Sequence, residues 1–224
     1  MAVEGDSSRE LHEDDPRSLR DQVRQVLRSW IVSGRFAPGE RVREREIAQN
    51  LGISRVPVRE AVALLEGEGL VSSLPRGGAV VTRLTAKDAA DLFHIREVLE
   101  GLAARLAAQN ATSAEASALH HNLSRAEKAA EGGDSAEQSR LNLEFHETVV
   151  TLADNPALTT MLEPVGVRLR WHFAPDQEPL TILNEHTQIV EAISAGDADR
   201  AAHIAAKHVR QTRDNILPSF DIED

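Results

Sequence analysis

Apolar residues recur at steps of three and four along the first third of the chain, and this spacing predicts amphipathic helices. The first helix begins at Ser18 and ends near Gly34, the second covers about residues 44–51, and the third runs from Ser54 to Gly67 or Gly69. Two β-rich runs, 70–74 and 79–83, surround a turn with two glycines and predict a hairpin. Three helices followed by a hairpin are the layout of a winged helix-turn-helix.

The rest of the chain, from Thr85 onward, has helical spacing throughout. Six helices are predicted, over about residues 85–110, 112 or 113–132, 134–153, 156–173, 180–196 and 197–217. Because the connections between them are short, an antiparallel helical bundle follows. The predicted fold class is therefore mainly α: an N-terminal winged helix-turn-helix with a small β-hairpin wing, then an all-α bundle of about six helices.

Four segments follow from these patterns: a disordered acidic tail (1–16), the winged helix-turn-helix (17–83), the bundle (84–218) and a flexible tail (219–224), with a hinge near 83–85. Charge divides the chain in the same way. Residues 17–83 contain twelve Arg and seven acidic residues, for a net charge of +5, whereas residues 84–224 carry −11 and the acidic tail −5. A compact basic segment beside an acidic one indicates that only the first binds DNA.

Composition excludes several classes of protein. The chain has no Cys, so disulfides, Cys-based zinc sites and thiol nucleophiles are absent. No apolar run approaches the roughly 20 residues that span a bilayer, and the acidic N-terminus does not resemble a signal peptide. We therefore expect a cytoplasmic protein that makes no contact with membranes.

The start of the predicted third helix carries the candidate DNA-reading residues. Apolar residues are spaced to lock the second and third helices across the turn at Gly52; they are Ile47, Ala48, Leu51, Ile53, Val58, Val62 and Leu65. This arrangement leaves Ser54, Arg55, Val56, Pro57 and Arg59 exposed at the start of the third helix, the part of a recognition helix that enters the major groove. Arg55 and Arg59 are four residues apart and share a face.

Four residues in the second part of the chain form a candidate metal site. Asn142 and His146 are four apart and share one helix face, while His186 and His208 lie on later helices. If they converge inside the bundle, their N and O atoms suit a divalent metal such as Zn²⁺ or Ni²⁺. Spacing alone leaves the alternative that these histidines are surface or hydrogen-bonded core residues.

Residues 51–62, Leu-Gly-Ile-Ser-Arg-Val-Pro-Val-Arg-Glu-Ala-Val, together with Leu65-Glu-Gly-Glu-Gly-Leu70, resemble the signature of the GntR family. The resemblance implies DNA contacts from an Arg of the second helix, from the start of the third helix and from the wing tip. The matching positions are Arg45, Ser54, Arg55, Val56, Pro57, Arg59, Arg76, Gly77 and Gly78. Val56 stands where the family often has Thr, and its methyl groups suit a thymine methyl.

Residues 85–217 resemble the FCD class of ligand-binding domain, which places the chain in the FadR subfamily. The similar motifs are 95–100 (Ile-Arg-Glu-Val-Leu-Glu), Phe145-His146, Asn155-Pro-Ala-Leu158 and Glu185-His186. The resemblance implies that Asn142, His146, His186 and His208 hold a metal and that open positions on it meet a ligand carboxylate. Asn142 departs from the usual Asp and brings no charge. Arg96 matches a pocket position whose guanidinium suits a carboxylate, although it could instead pair with Glu100 along its own helix.

The sequence therefore predicts a ligand-responsive transcriptional regulator, a repressor, that acts as a homodimer on a double-stranded DNA operator and senses a small organic acid. Two alternatives remain at this point. The metal itself could be the signal, or the bundle could be a metalloenzyme fused to a DNA-binding domain. Neither a His-Glu-x-x-His motif nor a catalytic pair of carboxylates is present, so we expect no enzyme.

Overall fold

The computed structural model describes residue 11 and residues 17–75, 77–170 and 179–222, and the chain divides into two compact units. The N-terminal unit is Met1–Leu84 and the helical unit is Thr85–Asp224. Among the described residues, no helix is long and apolar enough to cross a membrane.

The N-terminal unit consists of short helices around a small antiparallel sheet. Its helices are α1 (Leu19–Val32), α2 (Glu44–Asn50) and α3 (Arg55–Gly67), and its strands are β1 (Arg41–Val42), β2 (Val71–Ser73) and β3 (Ala79–Val81). The strand order is β1-β3-β2, so β3 is central. This architecture confirms the predicted winged helix-turn-helix.

Strand β1 is an addition to the predicted two-stranded hairpin. Arg41 pairs with Val80 and Val42 with Ala79, both antiparallel. Val42 is buried beneath the sheet, which explains why this short segment is held. The sequence pattern does not predict this strand, because two residues are too few to show an alternation.

The predicted apolar positions form the core of the N-terminal unit. Val23, Leu27 and Ile31 of α1 are buried. Ile47, Ala48, Val58, Val62 and Leu65 are also buried, as expected for two helices locked across a turn. Leu19 is exposed, in contrast to its place in the predicted apolar pattern, and Ile53 is half-buried.

The helical unit forms the predicted bundle. Its helices are α4 (Ala86–Asn110), α5 (Ser113–Glu131), α6 (Ser135–Leu152), α7 (Pro156–Arg170), α8 (Pro179–Ser194) and α9 (Ala198–Ile216), followed by a 3₁₀ helix (Leu217–Ile222). The last residues of the predicted α7, 171–173, lie outside the described residues. The 3₁₀ helix contacts α9 and α4 where the sequence predicts a flexible tail from residue 219, because Leu217 and Phe220 are half-buried.

Capping residues set the boundaries of these helices. Thr85 and Asp88 form a capping box at the start of α4, and Thr112 and Glu115 form another at the start of α5. Asp197 caps α9 through the backbone N–H of Arg200. These local hydrogen bonds explain why the boundaries of the helices could be predicted closely.

Helix α4 is central to the bundle and packs most extensively along α9, while also contacting α6, α7 and α8. Gly101 lies at this contact: a Cβ atom there would lie 3.4 Å from the carbonyl oxygen of Ala202, which is ordinary van der Waals contact. Alanines continue this contact on both sides, among them Ala104, Ala201 and Ala205, all buried. Small residues let the two backbones come together, so a chain with few aromatic residues still fills its core.

Candidate functional site

The N-terminal end of α3 presents a row of side chains to solvent. Ser54 occupies the N-cap position but makes no capping hydrogen bond, so its hydroxyl is not used within the helix. Arg55 has 60% of its side chain exposed, and Val56 is 56% exposed although it is apolar. Pro57 is half-buried and Arg59 is exposed. Exposed polar, basic and apolar groups at the start of one helix suit the edges and methyl groups of bases.

Helix α2 adds two charged residues to this surface. Arg45 is exposed, and neither Arg45 nor Arg59 forms an ion pair with another residue in the described part of the chain. Glu44 lies beside Arg55, with its Oε2 atom 3.5 Å from a terminal nitrogen of the guanidinium. Sequence reasoning missed Glu44. Its carboxylate accepts a long hydrogen bond from the Arg55 guanidinium.

The turn between β2 and β3 is the tip of the wing. Gly77 and Gly78 both have positive φ, at 84° and 88°, a conformation that favours glycine. The guanidinium of Arg41 donates a long hydrogen bond of 3.4 Å to the Gly77 carbonyl oxygen. Arg76, the predicted contact residue of the wing, lies outside the described residues.

In the helical unit, three of the four predicted metal ligands converge. One ligand atom from each of His146 on α6, His186 on α8 and His208 on α9 lies within 4.8 Å of the others. His186 and His208 are buried, and His146 is half-buried. Nitrogen atoms this close together could hold a divalent metal.

Two carboxylates hold two of these histidines from behind. Glu185 Oε2 lies 2.6 Å from Nδ1 of His208, and Glu100 Oε2 lies 3.1 Å from Nδ1 of His146. Because a carboxylate only accepts hydrogen bonds, each Nδ1 donates to its carboxylate, and each Nε2 is the ring atom left for a ligand. Carboxylates in this position are typical of histidines that bind metal.

His186 completes the histidine cluster in a different way. Its ring stacks on Phe145 with 3.9 Å between the ring centroids, which fixes its plane. Its Nε2 atom is buried and has no hydrogen-bond partner in the structure. A buried polar atom without a partner is costly, so a ligand at this position would remove that cost.

Burial determines the protonation of the cluster. It lowers the pKa of His186 well below its ordinary value, and the nearby His208 and His146 add to the effect. Burial also lowers the pKa of His146, although Glu100 opposes this. For Glu100, burial alone would raise the pKa, but Arg96 and His146 together hold it well below its ordinary value. Burial therefore favours the neutral rings of His186 and His146, and Arg96 and His146 favour the ionised carboxylate of Glu100, which are the states that metal binding needs.

Two of the predicted site residues, Asn142 and Arg96, are not members of this histidine cluster. Asn142 lies one helical turn before His146 but is exposed, and its side chain forms no hydrogen bond to another described residue. Arg96 forms an ion pair with Glu100, the alternative that the spacing had left open. Because Glu100 contacts both Arg96 and His146, the half-buried guanidinium of Arg96 lies near the cluster without a hydrogen bond or ion pair to a histidine among the described residues.

Both units match known families. Residues 19–81 match the family "Bacterial regulatory proteins, gntR family", and residues 91–211, more than half of the chain, match the FCD domain. The chain belongs to the GntR family, in its FCD-containing branch. This GntR-family protein is a DNA-binding transcriptional regulator, and neither its family nor its relatives described below are enzymes.

Named relatives cover almost the whole length of this regulator. It is 36% identical over 200 residues to the HTH-type transcriptional regulator YdhC of Bacillus subtilis, covering 87% of this chain and 89% of that protein. It is 32% identical over 187 residues to the Nta operon transcriptional regulator of Aminobacter aminovorans, covering 83% and 89%. It is also 26% identical to the HTH-type transcriptional repressor RspR of Escherichia coli, covering 88% and 89%.

Solved structures agree in fold. The E. coli protein McbR/YncC has a TM-score of 0.75 and 27% identity, covering 91% of this chain and 98% of that one. A GntR regulator from Rhodococcus sp. RHA1 has a TM-score of 0.73 at 24% identity, covering 91% and 99%, and supports the fold alone. The regulator therefore keeps the two-part architecture of these proteins along nearly all of its length.

Glu100, Phe145 and Glu185 were missed as functional residues by sequence reasoning. Phe145 and Glu185 each precede a ligand histidine in the chain, and that adjacency was the one available signal. The partner of Glu185, however, is His208 on another helix rather than its neighbour His186. Pairings between helices of this kind have no periodic signature in a single sequence.

Proposed function

We propose that this GntR-family regulator is a cytoplasmic repressor that binds a divalent metal in its helical unit and releases its operator when a small organic acid binds there. The observation that carries the proposal is the histidine cluster, with two Nδ1 atoms held by carboxylates and the Nε2 of His186 buried without a partner. The repressor role is supported by the name of the relative RspR.

The metal in this proposal is Zn²⁺, with Ni²⁺ as the alternative, because the three candidate ligands are imidazoles. His146, His186 and His208 would hold it. Asn142 remains the predicted fourth ligand by its place on α6, although its exposed side chain does not support that role as the structure stands. A bound metal supplies an electrophilic centre that takes up a carboxylate oxygen.

Arg96 is the proposed second anchor for the effector. Its guanidinium is engaged by Glu100, so an effector carboxylate would compete with Glu100 for it. Because Glu100 also holds His146, such an exchange would link the effector to the orientation of a metal ligand. Operator affinity would shift because the effector binds the arrangement in which Arg96 is released from Glu100 more tightly than the arrangement in which the two are paired.

Elemental analysis and native mass spectrometry of the purified full chain test the metal. We expect close to one Zn²⁺ or Ni²⁺ per chain, lost in His208→Ala and retained in His203→Ala, which removes an exposed histidine of the same helix. Fluorescence anisotropy on operator DNA then tests the signal. Release by organic acids only in the metal-loaded protein supports the proposal. Release by Zn²⁺ alone, without any response to acids, would make the protein a metal sensor instead.

The DNA contacts are proposed for the residues at the start of α3, for Arg45 and for the wing. We expect Arg55→Ala to weaken operator binding by about 1–3 kcal/mol and to relax base preference. Arg105→Ala, which removes the same charge from α4 in the helical unit, is the matched control. Equal losses in the two variants would show that Arg55 contributes only charge.

A homodimer is the proposed form on DNA, since winged helices of this kind read two half-sites. The exposed face of α4 supports it: Ile95, Val98 and Leu102 lie on one stripe and are 48%, 69% and 39% exposed. We expect Val98→Glu to give a monomer in light scattering and His121→Glu, at an exposed position of α5, to remain a dimer. A dimeric Val98→Glu variant would exclude this face as the interface.

A further inference from the structure

Glu185 has a different electrostatic situation from that of Glu100, although each holds one histidine of the cluster. Glu100 lies between His146 and the guanidinium of Arg96, so its negative charge is already compensated by a permanent cation. Glu185 contacts His208 and has no Arg or Lys as an ion-pair partner among the described residues. The negative charge of Glu185, unlike that of Glu100, is therefore not compensated by an Arg or Lys in the described part of the chain.

The cluster itself lacks negative charge. Imidazole rings supply no negative charge to a metal, and Asn142 offers at most an amide oxygen. A divalent cation placed there would bring two positive charges into a buried site beside Arg96, which is unfavourable unless an anion is near. The side chain of Glu185 is only 14% exposed, so water screens its charge weakly.

We propose that Glu185 is a positioning residue of the metal site: it fixes His208 with Nε2 toward the metal and supplies, through that ring, the negative charge that Asn142 does not. This inference rests on the proposed metal site. A carboxylate that accepts a hydrogen bond from Nδ1 makes the Nε2 atom of the same ring more basic and so a stronger metal ligand.

The test is a Zn²⁺ titration of the metal-stripped full chain in competition with a chromogenic chelator. We expect Glu185→Gln to weaken Zn²⁺ binding by about tenfold, since Gln can still accept from Nδ1 but has no charge, and Glu185→Ala by up to about a hundredfold. Glu191→Gln is the matched control, because Glu191 lies on the same helix and pairs with Arg200 at the surface. It should bind Zn²⁺ like the wild type.

A rescue variant separates charge from structural damage. Asn142→Asp in the Glu185→Gln background places a carboxylate one turn from His146, and we expect it to restore most of the lost affinity. Far-UV circular dichroism checks that all variants keep their helices. If Glu185→Gln binds Zn²⁺ like the wild type, the charge role of Glu185 is wrong. A wild-type chain that binds no Zn²⁺ would instead overturn the metal site on which the inference rests.

Discussion

The buried His186 ring makes the metal-free protein sensitive to mild acid. His186 is 2% exposed, and burial lowers its pKa well below the ordinary value of 6.5 in the folded state. In the unfolded chain the ring takes up a proton near that ordinary value. The stability that comes from keeping the ring neutral is therefore fully present above pH 6.5 and is lost as the pH falls toward the folded pKa.

The expected magnitude follows from linkage. Each pH unit below 6.5 costs about 1 kcal/mol of folding free energy for a ring that stays neutral in the folded state and is protonated in the unfolded one. Lowering the pH from about 7.5 to about 5.5 should therefore remove about 1 kcal/mol through His186 alone. The assay is urea unfolding of the metal-stripped chain at both pH values, followed by far-UV circular dichroism, which reports mainly on helices.

Two variants isolate this contribution. His186→Leu keeps an apolar side chain against Phe145 and removes the titrating group, so it should lose about 1 kcal/mol less than the wild type on acidification. His203→Leu changes an exposed histidine and should lose as much as the wild type. If the stability of His186→Leu falls with pH as steeply as that of the wild type, His186 is not held neutral in the folded protein and the reasoning fails.

Three further changes test the fold around the sites. Gly52→Ala should cost about 1 kcal/mol in thermal or urea unfolding, because Gly52 has a φ of 68° and its replacement would be strained even without a clash. Thr112→Ala should cost about 1 kcal/mol through loss of the capping box on α5, and Thr112→Ser should restore it. Phe145→Ala should cost about 3–5 kcal/mol and also weaken Zn²⁺ binding, since it removes a buried ring and the support of His186; unchanged Zn²⁺ affinity would show that the stack has no positioning role.

The helices could be predicted from the sequence because their signals are local. Thr85, Thr112 and Asp197 mark helix starts by bonds that span three residues, and apolar spacing marks the buried faces. Strand β1 could not be predicted, since what holds it is its pairing with β3, some 40 residues later in the chain.

The candidate sites follow the same rule. The exposure of the residues around Arg55 was predicted from apolar spacing, and the convergence of the three histidines from family motifs. The structure shows both, but Asn142, the fourth predicted ligand, is exposed and does not join the histidines. The Glu185–His208 contact joins two helices and residues that are 23 apart in the chain, so no local sequence pattern predicts it. The pairing of Arg96 with Glu100 could be predicted because the two residues are four apart on one helix, so the contact does not depend on the tertiary fold.

The close contact of α4 and α9 at Gly101 has a mechanical consequence. Small residues at this contact let α4 and α9 pack along each other, so we expect the two helices to shift together. His208 lies on α9. Thr85, which caps the start of α4, directly follows the last residue of the N-terminal unit. With 25 residues, α4 is about 37 Å long. We therefore expect a tilt of a few degrees at the histidines to become a displacement of ångströms where the chain enters the DNA-binding unit.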